Sequence, residues 1–426
     1  MRYGGFNSMA YLENVQYLNN FFREKWYDTD VELNLNMKTI NYIEKRKIEK
    51  KFDSFIDLLI EHIENFPLEL NSRKVWKERG NKLIDEMILN EDIFKLGKIN
   101  SNMKNQFFIS TKKFIKECKE FDNEIKYDEI GQAMRNVWIV NILQNIMGKD
   151  ICFTKAIFGY SMLYPYTDNY LDNVNVSMKE KIQFNEFFSK ILNDEYVELE
   201  GAYKLKIYKL VKNIEEVFER DKYKDVYESL LLIHEGQKNS LIHQECLSIP
   251  YERDMLKISI EKGGASVLAD AYLVNGTLSD EEKEFAYGYG FLLQICDDFQ
   301  DVKEDIENNH MTVVSQIANK YPLDAIANKL INFTLNLIDN ATCFKCDNVI
   351  ELKELIKDNC IKMIMFAIVL GREYFTKEYV KNIEKYLPFR KSYIDNIKDN
   401  LKNKFSTLKK SYHSVSIEDI VFELIV

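Results

Sequence analysis

The stretch QICDDFQDVKED, residues Gln294–Asp305, carries the strongest structural signal in this chain. It holds five carboxylates within nine residues: Asp297, Asp298, Asp301, Glu304 and Asp305. An α-helix turns about 100° per residue, so positions four apart differ by roughly 40° around the axis. The spacing therefore predicts a helix on which Asp297, Asp301 and Asp305 share one face, with Asp298 to the side.

The acidic face of this predicted helix begins in an apolar part, around Leu292–Cys296, that should be buried. Like charges four residues apart cost roughly a few tenths of a kcal/mol on an exposed helix, and an unpaired carboxylate costs far more when it is buried. Mg²⁺ relieves this cost because it binds one or two carboxylates and fills its shell with water and phosphate oxygens. The alternative interpretation is a solvated acidic face, which is the usual explanation of a charge run.

A second acidic pair favours the metal hypothesis. In TDNYLDNV, residues 167–174, Asp168 and Asp172 are again four apart, and they follow a segment rich in aromatic and apolar side chains. Two such pairs facing each other across a cavity would hold a cluster of Mg²⁺ ions and, through it, a diphosphate. The two sites together predict a metal-dependent diphosphate site.

Helical periodicity dominates the rest of the sequence, and only five prolines and 15 glycines interrupt its 426 residues. These features predict an all-α protein with a single core of about ten helices over residues 101–426 and an N-terminal helical extension over residues 1–100. The helices are predicted near 9–24, 39–65, 74–96, 105–120, 130–148, 179–193, 203–219, 222–246, 251–274, 280–307, 323–340, 349–370, 374–386 and 390–412.

The net charge of −10 argues against nucleic acid as a partner, whereas a small anionic ligand is acceptable where metal ions supply positive charge. We find neither a signal peptide nor a run of 18 apolar residues, so no integral membrane segment is expected. The seven cysteines are scattered and odd in number, which favours reduced thiols and a cytoplasmic location.

Four sequence elements, in order, resemble the trans-prenyl diphosphate synthases. DNYLDN resembles their first aspartate-rich motif, with Asn169 in place of the second Asp, and QICDDFQDVKED resembles the second motif. HEGQKNSL resembles the Gly-Gln element, matched by Gly236 and Gln237. EKGGASVLADAYL resembles the element whose lysine contacts diphosphate, matched by Lys262. The resemblance implies the class I isoprenoid synthase fold, an antiparallel helical bundle around a deep apolar cavity.

The departures from that pattern indicate which members of the family the chain resembles most. Chain-elongating members bind isopentenyl diphosphate with a Gly-Gly-Lys-Arg-x-Arg element, but in IGQAMRN only Arg135 remains, and Gln132 and Ala133 replace the other cations. The arginine pair after the first motif and the Gly-Lys pair after the second are also missing. The chain is therefore most similar to bacterial class IB terpene synthases, including the large terpene synthases.

This resemblance implies a Mg²⁺-dependent terpene synthase. It would ionise a linear prenyl diphosphate to a carbocation, cyclise or deprotonate the cation, and release diphosphate. The resemblance implies three Mg²⁺ ions and a possible homodimer. The implied residues are Asp168, Asp172 and Asp297 (catalytic and metal-binding), Asp298 and Asp301 (metal-binding), Lys262 (catalytic and substrate-binding), and Arg135, Gln237 and Gln294 (substrate-binding).

Two alternatives remain open at this point. One is a chain-elongating or condensing prenyltransferase with a second diphosphate site made of other residues. The other is a non-catalytic helical partner subunit, which the asparagine at position 169 encourages. His234 and His243, which flank the Gly-Gln element, are either structural or a base for the final deprotonation.

Overall fold

The computed structural model describes residues 9–33, 35–91, 93, 100–173, 175–240 and 253–425. The regular secondary structure of these residues is helical apart from one short hairpin, which confirms the all-α prediction. None of their helices is long and apolar enough to cross a membrane. The α-helices are α1 (Met9–Asp28), α2 (Tyr42–Glu64), α3 (Leu70–Asn90), α4 (Ser101–Phe121), α5 (Tyr127–Ile146), α6 (Lys155–Asp172), α7 (Met178–Leu192), α8 (Gly201–Glu215), α9 (Lys224–Ser240), α10 (Met255–Asn275), α11 (Asp280–Gln300), α12 (Val302–Glu307), α13 (Asp324–Asp339), α14 (Val349–Leu370), α15 (Lys377–Ile383), α16 (Lys391–Ser406) and α17 (Ile417–Ile425).

The chain forms two compact units, each built from two separate segments. The first unit contains the residues up to 33 together with 102–349, and the second contains residues 34–101 together with those from 350 onwards. This grouping places α1 in one unit and α2 and α3 in the other. The predicted extension over 1–100 and core over 101–426 stay a prediction.

Helix α10 lies at the centre of the first unit. It contacts α1, α5, α6, α9 and α11, and its residues from Gly263 to Leu273 are all buried except Ser266. Helices contacted on all sides are apolar around their whole circumference, which explains the composition of this segment. Residues of α5, α6, α9 and α11 that contact α10 are thereby held in fixed positions.

Small residues let α10 and α11 approach closely. A Cβ atom built on Gly290 would lie 2.0 Å from the carbonyl oxygen of Gly263, and one built on Gly264 would lie 2.4 Å from the ring of Tyr287. Both contacts are shorter than non-bonded atoms permit, so these positions require glycine. The Gly263-Gly264 pair is therefore a close-packing point within a helix.

The acidic segment forms two helices instead of the predicted continuous helix over 280–307. Helix α11 begins with a capping box in which the Ser279 hydroxyl accepts from the backbone of Glu282 and the Glu282 carboxylate accepts from the backbone of Ser279. It ends at Asp301, whose φ of −98° and ψ of 6° depart from helical values. The segment carries five carboxylates within nine residues, and like charges at helical spacing weaken a helix.

The second unit has its own apolar core, formed by residues of α2, α3 and α17, including Ile63, Trp76 and Leu424. A two-stranded antiparallel hairpin, Ser411–Tyr412 with Val415–Ser416, precedes α17. The sequence prediction of a helix over 390–412 is wrong at its end, because α16 stops at Ser406 and the hairpin follows.

Candidate functional site

The first acidic site lies at the C-terminal end of α6. Gln237, on α9, donates a hydrogen bond from its amide to Oδ1 of Asp168. The hydroxyl group of Thr167 lies 3.0 Å from the same oxygen. Asp168 is half-buried, so its carboxylate is oriented by protein donors and still reachable from solvent. Two residues predicted from separate motifs, Asp168 and Gln237, are thus in direct contact.

Lys262, the lysine predicted to bind diphosphate, lies on α10 where that helix passes close to Gly236 of α9. A Cβ atom built on Gly236 would lie 3.4 Å from the Cα atom of Lys262, so α9 passes close to α10 at this point. Gly236 immediately precedes Gln237, and Lys262 is half-buried. The close approach of the two helices therefore brings the backbones of the Gly-Gln element and Lys262 together, and a shared diphosphate site stays a prediction.

Asp298 is the buried member of the acidic segment, with an exposed fraction of 4%. Its Oδ1 accepts a hydrogen bond of 3.0 Å from Nε2 of Gln294, and its Oδ2 has no hydrogen-bond partner among the described residues. Burial raises the pKa of Asp298 to about 7. An oxygen left without a donor in this way is suited to bind a cation.

Asp297 is accessible to solvent, yet the surrounding protein desolvates its carboxyl and raises its pKa. Arg135 and Lys262 lower this pKa, and Asp301 raises it further. A group that solvent reaches while protein surrounds it is expected in a recess of the surface. Asp297 is thus within electrostatic range of Arg135 on α5, of Lys262 on α10 and of Asp301.

The acidic cluster continues past the bend. Burial is the main reason why the pKa of Asp301 is raised and the pKa of Asp305 reaches about 6, and neighbouring carboxylates add to both shifts. Lys262 lowers the pKa of Asp305 and so lies within electrostatic range of this end too. The cluster therefore carries more negative charge than its protein surroundings stabilise, and it favours either protons or a metal cation.

The donor set fits Mg²⁺ with few protein ligands. All candidate donors are carboxylate oxygens, and Mg²⁺ prefers oxygen, holding one or two carboxylates with several waters and phosphate oxygens. Within the described residues, no group of three or more His, Cys, Asp or Glu side chains is already arranged to hold a metal ion. These residues therefore suit Mg²⁺ ions whose coordination shells are completed by water and by a phosphate ligand. Asp298 offers the carboxylate oxygen, Oδ2, that has no hydrogen-bond partner among the described residues. Asp172 ends α6, but its side chain lies outside the described residues.

Asn169 and Gln132, which both depart from the pattern of the prenyl diphosphate synthases, form a hydrogen bond with each other. The Asn169 amide donates a hydrogen bond of 3.1 Å to Oε1 of Gln132, on α5. The pair joins α5 to the end of α6 beside Asp168. Sequence reasoning noted both residues separately but had no signal for their contact, because they are 37 positions apart.

His234 is structural in character. It is fully buried, its Nε2 lies 3.2 Å from the backbone oxygen of Asn185, and burial lowers its pKa to about 3. An imidazole with so low a pKa is a weak base, so His234 is poorly suited to take a proton at physiological pH. His243 lies outside the described residues.

Compared with known proteins, the chain matches no protein-family model and shows no significant similarity to any curated protein.

Proposed function

We propose that this protein is a Mg²⁺-dependent class I terpene synthase that ionises a linear prenyl diphosphate and releases diphosphate. The supporting observation is a continuous series of contacts within the first unit. Asp168 is held by Gln237, the neighbouring Gly236 packs on Lys262, and Lys262 interacts electrostatically with Asp297. These interactions link residues of four separate sequence elements, and this supports a shared binding site for an anionic head group.

The residues have distinct roles in this proposal. Bound Mg²⁺ would neutralise the charge that develops on the departing diphosphate. Asp168, Asp297, Asp298, Asp301 and Asp172 are the carboxylates available to hold it. Lys262 would bind the diphosphate as a point charge, and exposed Arg135 would supply a planar set of donors. Gln237 orients Asp168 and Gln294 orients Asp298 through the hydrogen bonds described above.

The Gln132–Asn169 contact supports ionisation of a single diphosphate over chain elongation. Gln132 carries no charge, and its side-chain oxygen is engaged by Asn169. Arg135 interacts with Asp297 and Asp301, so its charge is directed towards the proposed metal site. Among the described residues of α5 near this site, there is therefore no surplus cation to bind a second diphosphate.

The proposal is tested by incubating purified protein and Mg²⁺ with C10, C15, C20 and C25 prenyl diphosphates, with and without isopentenyl diphosphate. Products are identified by mass spectrometry before and after phosphatase treatment. A hydrocarbon or alcohol formed without isopentenyl diphosphate supports the proposal and gives the chain length. A longer prenyl diphosphate formed only with isopentenyl diphosphate would establish elongation. The absence of any product would favour a non-catalytic partner subunit.

A further inference from the structure

Helix α6 contains a proline, Pro165, in its interior, and the segment that follows, residues 166–172, carries the first acidic site. Proline lacks the backbone N–H that an interior helical residue donates to the carbonyl four positions earlier, here that of Ser161. The hydroxyl of Thr167 lies 2.9 Å from the carbonyl oxygen of Leu163, and a contact of this kind tends to bend a helix. The position of this last segment of α6 therefore depends on contacts with neighbouring helices.

Tyr166 makes two of these contacts. It lies two positions before Asp168, which corresponds to about 200° around the helix axis, so the two side chains leave opposite sides of α6. The Tyr166 side chain is buried, with an exposed fraction of 7%, and its hydroxyl donates a hydrogen bond to Oδ2 of Asp122, the residue that follows α4. The hydroxyl of Tyr203, on α8, donates a hydrogen bond to the backbone oxygen of Tyr166. The segment is thus held through both the side chain and the backbone of Tyr166.

Asp122 is a buried carboxylate whose two oxygens are both engaged. Its exposed fraction is 9%, its Oδ2 also lies 2.5 Å from Nζ of Lys206 on α8, and its Oδ1 accepts a hydrogen bond of 3.2 Å from the backbone nitrogen of Glu124. Burial opposes ionisation, but the hydrogen bonds from Lys206, Tyr166 and Glu124 outweigh it and lower the pKa of Asp122. An ionised acceptor forms stronger hydrogen bonds than a neutral one, so Asp122 fixes the position of the Tyr166 hydroxyl.

The same segment of α6 is connected to the other side of the site. Asp168 accepts a hydrogen bond from Gln237 of α9, and Asn169 donates one to Gln132 of α5. These partners belong to other helices, so the hydrogen bonds depend on where residues 166–172 lie. A displacement of this segment would move the Asp168 carboxylate away from Gln237.

We propose that Asp122 and Tyr166 are positioning residues for the first acidic site. By holding residues 166–172 of α6, they keep the Asp168 carboxylate where it binds a divalent cation together with the anionic head group. This inference rests on the proposed function for the presence of the metal site. Residues that orient a metal ligand typically change metal affinity about 10–100-fold when they are mutated.

The second unit contains a matched group for comparison. The hydroxyl of Tyr393 donates a hydrogen bond of 3.0 Å to Oδ1 of Asp53, and Nζ of Lys404 lies 3.9 Å from the same oxygen. Tyr393 is also buried, with an exposed fraction of 9%. Removal of its hydroxyl breaks the same kind of hydrogen bond as in Tyr166→Phe, but no residue of this group belongs to the proposed site.

The test measures binding of Mn²⁺, a spectroscopic substitute for Mg²⁺, to the full chain with inorganic diphosphate by electron paramagnetic resonance. Tyr166→Phe and Asp122→Asn should each weaken Mn²⁺ binding about tenfold. The double variant should bind no more weakly than the weaker of the two single variants, because both break the same contact. Tyr393→Phe should bind Mn²⁺ as the wild type does.

Turnover distinguishes a positioning role from a loss of folded protein. Tyr166→Phe should release diphosphate from a prenyl diphosphate slowly when Mg²⁺ is limiting and approach the wild-type rate when Mg²⁺ is saturating. This recovery is expected because a weakened metal site fills at higher Mg²⁺ concentration, whereas unfolded protein stays inactive. A rate that stays equally low at every Mg²⁺ concentration would contradict the positioning role.

Unchanged Mn²⁺ affinity in both Tyr166→Phe and Asp122→Asn, or an equal loss in Tyr393→Phe, would overturn the positioning role and leave the proposed function in place. Failure of the wild type to bind Mn²⁺ with diphosphate would remove the metal site of the proposed function, and this inference with it. Weaker Mn²⁺ binding by the two variants, without diphosphate release by the wild type from any prenyl diphosphate, would support the positioning role and remove the terpene synthase proposal.

Discussion

Asp297 is the residue on which the metal-site proposal depends most. Its carboxyl is reachable, partly desolvated and within electrostatic range of Arg135 and Lys262. We expect Asp297→Ala to reduce Mg²⁺-dependent diphosphate release by about three orders of magnitude, as expected when a main electrostatic group of an active site is removed. Helicity measured by circular dichroism should not change. Glu307→Gln, an exposed acid beyond the site, is the control, and near-normal release by Asp297→Ala would exclude the metal-site arrangement.

His234 makes stability depend on pH. Its folded-state pKa of about 3 lies below the ordinary value of 6.5, so the unfolded chain binds the proton more readily. The free energy of unfolding should therefore fall as pH drops below about 6.5, by about 1.4 kcal/mol per pH unit from this group.

Chemical denaturation at pH 7.5 and pH 5.5 checks this prediction through the difference between the wild type and His234→Gln. The variant should lose less stability on acidification than the wild type. His413→Gln controls for removal of an exposed histidine. Parallel losses in the wild type and in His234→Gln would mean that His234 is not held neutral by burial.

The sequence indicated the site residues unequally, for physical reasons. The sequence indicated Asp297 and Asp168 because their carboxylates recur at intervals of four next to apolar segments, and their role stays a prediction. Asp298 was placed to the side of the acidic face, yet it is the most buried of the group, because burial depends on the helices packed against it.

At the scale of elements, the contact between α10 and α11 determines where Lys262 lies relative to the acidic segment. Gly290→Ala would place a methyl group on the backbone of α10, and strong overpacking of this kind costs about 3 kcal/mol or more. We expect a corresponding loss of stability in chemical denaturation and weaker diphosphate binding.

Gly131→Ala is the matched control for this substitution. Gly131 lies inside α5, and a Cβ atom built there meets nothing within 4 Å. Replacing a helical glycine by alanine stabilises by about 0.5–1 kcal/mol. Equal stability of Gly290→Ala and Gly131→Ala would show that α10 and α11 are not packed as closely as described.

Most helices could be predicted because their burial imposes a helical period on the sequence. The predicted segments 251–274 and 323–340 agree closely with α10 and α13. The bend at Asp301 and the hairpin before α17 could not be predicted, because neither is marked by a local change of period. The hairpin turn places His413 and Ser414 at positive φ, which residues of these types adopt rarely and which the sequence does not indicate.

At the scale of the molecule, each compact unit is made of segments far apart in the chain, and no proline- or glycine-rich linker marks the boundaries. In the second unit the two segments are joined by Glu49 of α2 and Arg390. The buried Glu49 carboxylate accepts hydrogen bonds of 3.0 Å from Arg390 Nε and 2.9 Å from its backbone nitrogen.

Arg390→Ala would remove the nearer of the two arginines paired with the buried Glu49 carboxylate, leaving Arg46 at 3.5 Å, and would destabilise both segments together. Hydrogen exchange followed by mass spectrometry should show faster exchange in residues 42–64 and 391–406 alike. Arg372→Ala, which breaks a more exposed ion pair with Asp395 in the same unit, should have little effect. Faster exchange in only one segment would contradict their assignment to a single unit.

The central claim is that the converging carboxylates and Lys262 support Mg²⁺-dependent ionisation of a prenyl diphosphate. The most direct measurement is the release of inorganic diphosphate from C15, C20 and C25 prenyl diphosphates without isopentenyl diphosphate, with Mg²⁺ and with excess chelator. The account predicts release from at least one substrate with Mg²⁺ and loss of that release with chelator. Release that persists under chelation, or no release from any substrate, would contradict it.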